Sequence, residues 1–172
     1  MNFSKMKKRI LLIFLLSSFL LTCSCIKKRE IKVESDKNIV DKIIREYVLA
    51  LDSADTDRLL SLYAKSPDIV VIGTGEEFYT GYDQVEKFYK EFKLTLSKWE
   101  KRSFKLAGLE TKLVDGIGWF SSRLDLSFEQ KVKVRGRTRV KLIEKNIRFT
   151  GVLIKEEGNW KLIQNHMSLP SL

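Results

Sequence analysis

From residue 36 onward the apolar positions fall into two rhythms. Ile39, Val40, Ile43, Ile44, Tyr47, Val48 and Leu51 recur at steps of one, three and four, which keeps them on one face of a helix. Asp36 stands ahead of them as a plausible N-cap. Asp52-Ser53-Ala54-Asp55 interrupts the pattern, and Asp55 opens a second short helix that carries Leu59, Leu60, Leu62 and Tyr63. That helix ends at Ser66-Pro67, because the residue before a proline avoids helical dihedrals. The β-branched run from Asp68 to Ile72 predicts a short strand, closed by the turn Gly73-Thr74-Gly75. A third helix follows Gly81, with Val85, Phe88, Tyr89 and Phe92 as its stripe and Leu96 extending it.

After about residue 99 the period shortens to two. Strands are predicted near 101–113, 117–133, 138–155 and 159–169, separated by Asp115-Gly116, Arg135-Gly136 and Glu156-Glu157-Gly158-Asn159, all suited to positive φ. Long consecutive strands joined by tight turns pair antiparallel. Helices first and a curved meander after predict an α+β fold, with the helices on one face of the sheet. In the second of these strands, Trp119, Ser121, Arg123 and Asp125 share one side, and Phe120, Leu124, Leu126 and Phe128 the other. In the last, strict alternation puts Trp160, Leu162, Gln164, His166 and Ser168 together, opposite Lys161, Ile163, Asn165, Met167 and Leu169.

The first residues follow a different logic. Lys5, Lys7, Lys8 and Arg9 precede an apolar run over 10–21 that is too short for a comfortable membrane span, which is the signal-peptide pattern. Both cysteines of the chain, Cys23 and Cys25, follow it directly, so no disulfide is expected inside the folded part. This stretch resembles a bacterial lipobox. Cys25 has the small Ser24 before it but Thr22 in place of the usual aliphatic residue; Cys23 has Leu20 there but the bulkier Thr22 at the cut. Cys25 is the preferred lipidation site, with Cys23 the alternative. The resulting division is a lipoprotein signal peptide over 1–24, a tether over 25–35 and one domain over 36–170. The expected location is the bacterial cell envelope, with the domain outside the cytoplasm and the bilayer as partner of the acyl anchor.

The formal charge of +10 changes meaning once it is placed along the chain. Removing the four cations before the apolar run leaves +6, and setting aside Lys27, Lys28 and Arg29 leaves +3. A domain at that value, with mixed signs, excludes a general electrostatic footprint for nucleic acid. The alternating Lys131, Lys133, Arg135, Arg137, Arg139 and Lys141 form a basic hairpin face, first a soluble β surface and also a face able to meet anionic lipid headgroups.

Three stretches resemble the SnoaL-like branch of the NTF2-like superfamily. They are Tyr47 to Asp55 followed by Leu59-Leu60-Ser61-Leu62-Tyr63; the glycine-led helix from Gly81 to Tyr89; and the closing hairpin from Arg148 to Pro170, with Trp160, His166, Ser168 and Pro170 at characteristic spacing. The resemblance implies a cone in which a strongly curved, mainly antiparallel sheet wraps three N-terminal helices around a pocket, and it implies a homodimer. The superfamily's ketosteroid isomerases use a tyrosine and a protonated aspartate as oxyanion hole and a second aspartate as base. Tyr47 matches the tyrosine, but Gly73 stands at the position of the base and Lys145 near that of the oxyanion aspartate. Isomerase chemistry is therefore disfavoured.

His166 is the only histidine, so no multi-histidine metal site or histidine-based triad can be assembled. No carboxylate spacing argues for metal, and no metal or cofactor is expected. The pocket candidates are Tyr47, Tyr63, Trp119, Arg123, Arg148, Trp160, Gln164 and His166, with the arginines poised for an anionic ligand. The expected function is a membrane-anchored, non-catalytic module that binds a small apolar or anionic ligand or serves as scaffold. The alternative is a small pocket enzyme of isomerase, hydrolase or cyclase type, using His166 with a tyrosine.

Overall fold

Helix α1 covers residues 35–53, α2 Thr56–Ser61 and α3 Tyr82–Leu96 in the computed structural model, which describes residues 35–170. The strands are β1 Val70–Ile72, β2 Phe78–Thr80, β3 Glu100–Val114, β4 Ile117–Val134, β5 Arg137–Glu156 and β6 Asn159–Ser168. They form one six-stranded sheet in the order β2-β1-β6-β5-β4-β3. The expectations for the lipobox and for Cys23 and Cys25 lie outside the described residues. Among the described residues, no helix is long and apolar enough to cross a membrane.

Local chemistry accounts for the element ends. The Asp55 side chain accepts from the Arg58 backbone N–H at 3.0 Å, capping α2, while Ala54 takes φ 55° so that the chain can reverse out of α1. The three hairpins of β3 to β6 turn on Asp115-Gly116, Arg135-Gly136 and Glu157-Gly158, each pair having positive φ at both residues. That is the two-residue turn whose twist matches antiparallel strands. Three features depart from the sequence reading, the first being that α2 ends at Ser61, well short of Ser66-Pro67, with Tyr63 bridged to Leu162 beyond it. Residues 78–80 pair with β1 as a strand of their own, and β1 lies parallel to β6, with Val71 opposite Asn165. Three-residue strands carry too little periodicity to be distinguished from the approach to a helix.

The helices and the inner sheet face share one core. Val40, Ile44, Tyr47, Val48 and Leu51 of α1 are buried with Phe120, Leu124, Phe149, Leu153 and Leu162 of the sheet. Arg102 fastens the open end of this core. Its guanidinium donates to the Asp52 carbonyl at 3.1 and 2.5 Å and to the Leu96 carbonyl at 2.5 Å, so one cation serves the C-terminal ends of both α1 and α3. The Asp52 carboxylate in turn accepts from the Phe104 N–H at 3.0 Å, fixing α1 to β3.

The sheet bends where its register slips. β3 slips against β4 near Lys101, which has φ 50°, and again near Gly108, which has φ 61°. β6 slips against β5 between the pairs Val152–Gln164 and Leu153–Leu162, so Ile163 is a surplus residue in β6. Gly151 lies beside this bulge with no room for a side chain. A Cβ there would stand 2.5 Å from the Gln164 carbonyl oxygen and 2.6 Å from the Phe120 ring. Gly151→Ala is expected to destabilise the domain by about 2 kcal/mol or more, because backbone must give way. Urea unfolding should show a lower midpoint with an unchanged slope; an unaltered midpoint would mean that the bulge tolerates a side chain.

Candidate functional site

The surplus residue in β6 decides which side chains face inward. Trp160 and Leu162 are buried on the helix side. Unbroken alternation would continue that set with Gln164, His166 and Ser168. The bulge at Ile163 shifts the phase by one, and inward positions become Asn165, only 1% exposed, and Met167.

Asn165 closes a buried ring of hydrogen bonds. Its amide nitrogen donates to the Tyr47 hydroxyl at 3.0 Å, Tyr47 and Tyr89 hydroxyls meet at 2.7 Å, and Tyr89 and Tyr63 at 2.9 Å. Tyr63 donates to the Asn165 carbonyl oxygen at 2.9 Å. Because Tyr63 spends its proton on Asn165, Tyr89 must donate to Tyr63 and Tyr47 to Tyr89, so donors run one way round the ring. Each phenol then keeps one spare lone pair, and Asn165 keeps one amide N–H.

Tyr47, Tyr89 and Asn165 border a cavity of about 490 Å³ between the helices and the sheet. The rest of its wall is mainly apolar and aromatic, with Tyr79, Phe88, Phe92, Trp99 and Phe104 prominent. The rings are packed in a chain: Tyr79 stacks on Phe88 at 4.5 Å, Phe88 on Phe92 at 5.6 Å, Phe92 meets Trp99 edge-on at 6.1 Å, and Trp99 stacks on Phe128 at 4.0 Å. Thr74, Glu91 and Thr95 are exposed lining residues and mark the rim; Glu77, which also lines the cavity, accepts from the Gly75 N–H at 2.7 Å. Among the described residues that line it, none is Lys, Arg or His.

Burial raises the Tyr47 and Tyr63 hydroxyls well above the ordinary phenol value of 10.0, and it raises Tyr89 as well. The ring is therefore protonated across the physiological range. It donates and accepts hydrogen bonds there but holds no phenolate to act as base.

The sequence-predicted candidates separate into two groups. Tyr47 borders the cavity, and Tyr63, buried past the end of α2, is one hydrogen bond behind it. Trp119 is 43% exposed and Arg123 exposed, both on the outer face of β4, while Arg148 is exposed on β5. Inward positions of β4 belong to Phe120, Leu124, Leu126 and Phe128, because that is the phase that buries the larger apolar set. The arginines thus cannot serve an anion inside the cone. Trp160 is buried in the core but is not a lining residue, with its indole Nε1 unpartnered. Gln164 and His166 fall on the outer side of β6 for the reason given above, His166 lying between Ile72 of β1 and Thr150 of β5. Gly73 does border the cavity, and Lys145 is exposed. Among the described residues, no cluster of three or more His, Cys, Asp or Glu is arranged for a metal.

The SnoaL-like domain family matches residues 40–171, and the chain belongs to that family. No curated protein matches the sequence. Solved structures with the same NTF2-like, cystatin-like fold include a candidate dehydratase of the NTF2-like family from Streptomyces avermitilis. It is 16% identical, with 81% of this chain and 99% of that one covered at a TM-score of 0.67. An NTF2-like superfamily protein from Salmonella enterica serovar Typhimurium is 21% identical, covering 81% and 94% at 0.64. A candidate scytalone dehydratase from Novosphingobium aromaticivorans is 14% identical, covering 80% and 85% at 0.64.

The ring makes stability depend on pH at the alkaline end. A phenol whose folded value lies above its unfolded one keeps its proton in the fold while the unfolded chain loses it above pH 10.0. Its contribution is whole below that pH and falls as pH rises further. Unfolding free energy is expected to decline above about pH 10 more steeply than in Tyr63→Phe. At neutral pH that variant should itself lose about 1–3 kcal/mol, since Tyr89 and Asn165 each lose a partner. Chemical denaturation across pH checks both, and identical alkaline slopes would sever the ring from the effect.

Proposed function

We propose that the domain is a binding module for a small molecule with an aromatic or aliphatic body and a neutral or cationic polar end, displayed at a membrane by an acyl chain on Cys25 or Cys23. The observation that carries this reading is the make-up of the cavity: an aromatic wall, a protonated tyrosine–asparagine floor and, among the described residues, no cationic side chain. A volume of about 490 Å³ suits a ligand of small-drug size. The floor offers spare lone pairs and one N–H, which complements a hydroxyl. A carboxylate would bring only acceptors and an uncompensated charge toward Glu77 and Glu91. The polar end is therefore neutral or cationic rather than anionic.

A pocket enzyme is the second reading, favoured by two fold neighbours being candidate dehydratases. On this chain such chemistry would have to take its base from Glu77 or Glu91 at the cavity wall, since His166 is on the other side of β6.

Three naphthalene probes of one shape test the proposal by thermal melting. 2-Naphthol and 2-naphthylmethylamine are expected to raise Tm in a concentration-dependent way, and 2-naphthoate to leave it unchanged. Asn165→Ala should abolish the response to naphthol, whereas His166→Ala should leave it intact. An equal response to naphthoate, or loss of response in the His166 variant, would overturn the reading.

A further inference from the structure

The β4–β5 hairpin continues well past the sheet that it belongs to. The last pair between β3 and β4 is Glu100–Glu129, and β6 pairs with β5 only from Arg148 onward. The pairs Gln130–Lys141, Lys131–Val140, Val132–Arg139, Lys133–Thr138 and Val134–Arg137 therefore form a two-stranded ribbon with no third strand on either edge among the described residues. Every residue from 133 to 142 is exposed. A free ribbon of this kind gains little stability by itself in water.

Charge is concentrated there. Residues 131–141 hold six Lys or Arg and no Asp or Glu, whereas residues 35–130 and 142–172 together hold 18 Lys or Arg against 20 Asp or Glu. The positive balance of the folded domain thus resides in this one arm. Lys131 pairs with Glu100 at 2.6 Å; the other five have no acidic partner among the described residues. Apolar side chains are interleaved with the cations, and Val134, Val140 and Leu142 are 41%, 56% and 59% exposed. Across three of these five rungs a valine faces a long cation, Val132 with Arg139, Val134 with Arg137 and Val140 with Lys131.

We propose that this ribbon docks on an anionic lipid surface through the face that carries Val132, Val134, Arg137, Arg139 and Lys141, with the two valines at the level of the headgroup–acyl boundary and the cationic heads on lipid phosphates. Long basic side chains reach outward along apolar neighbours and keep their charge among the headgroups. A second copy is a poor occupant, because six like charges would meet six. Nucleic acid leaves the exposed valines and leucine without a partner, and the ribbon carries no aromatic ring on which a base would stack. The ribbon is separate from the cavity and from the ligand proposed for it.

The test places a reporter in the ribbon of the full chain, so that anchoring by any other segment does not count. Val134→Trp is compared with the unaltered chain on vesicles of brominated phosphatidylcholine, with or without phosphatidylglycerol. Quenching of the added indole is expected on the anionic vesicles only, and to fade with salt, because exposed charges are screened. Each basic residue near such a surface strengthens binding about fivefold. Adding Arg135→Gln, Arg137→Gln, Arg139→Gln and Lys141→Gln should therefore weaken the anionic-vesicle response by nearly three orders of magnitude, about 600-fold. An unchanged melting profile of this variant shows that the fold is intact. Three results would overturn the proposal: an indole that stays in water on anionic vesicles, equal quenching on zwitterionic ones, or displacement by duplex DNA at equal phosphate.

Discussion

The hydrogen-bond ring of Tyr47, Tyr89, Tyr63 and Asn165 takes one member each from α1, α3, the exit of α2 and β6. It is the polar junction of an otherwise apolar core. A buried hydroxyl without a partner is costly, while a closed network is not, so the four elements must dock together for the ring to be tolerated. Closure needs Asn165 to point inward. That needs the surplus residue at Ile163, and the bulge needs a glycine at 151, where a Cβ would strike both the Gln164 backbone and Phe120. The glycine, the bulge, the inward asparagine and the cavity floor are one linked requirement.

This linkage also explains what could be read from the sequence and what could not. Helix periodicity, the Asp55 cap and the three Xaa-Gly turns are local properties, and the elements they predict appear at those places. SnoaL-like membership and the α+β fold followed from the closing hairpin and the order of elements. The pocket was harder, because a strand's period of two carries no phase memory across a bulge. One inserted residue moved Gln164, His166 and Ser168 outward and brought Asn165 and Met167 in. A signal existed in Gly151, a glycine inside a long β run, which often marks a bulge or a close backbone approach. Trp119 failed for another reason: either face of β4 looks partly apolar, and the Phe120, Leu124, Leu126 and Phe128 set buries more. Tyr89 and Asn165 were read only as members of an apolar stripe and an opposing face, since their partners lie 26 to 118 residues away.

Electrostatics divides the domain. Among the described residues the cavity is lined by rings, hydroxyls and two carboxylates with no cation, and its tyrosines keep their protons because burial disfavours phenolate. That combination favours hydrogen bonding over proton abstraction at the floor. The excess of cations over acids in the domain sits on the far half of the β4–β5 hairpin instead. A net charge averaged over the chain conceals this, because the acids elsewhere nearly cancel it.

The length of that hairpin is the part the cavity does not require. Inward residues of β4 are buried only as far as Phe128, and those of β5 only from Ile147. Beyond them the two strands run on with free edges and exposed valines, which by themselves invite pairing with another copy. Clustered cations counter that tendency by holding copies apart, and the same charges attract a surface of the opposite sign. Protection from self-association and affinity for an anionic bilayer thus arise from the same side chains. Salt acts on both at once, since screening would weaken attachment and self-avoidance together, leaving the apolar rungs as the only force at high ionic strength.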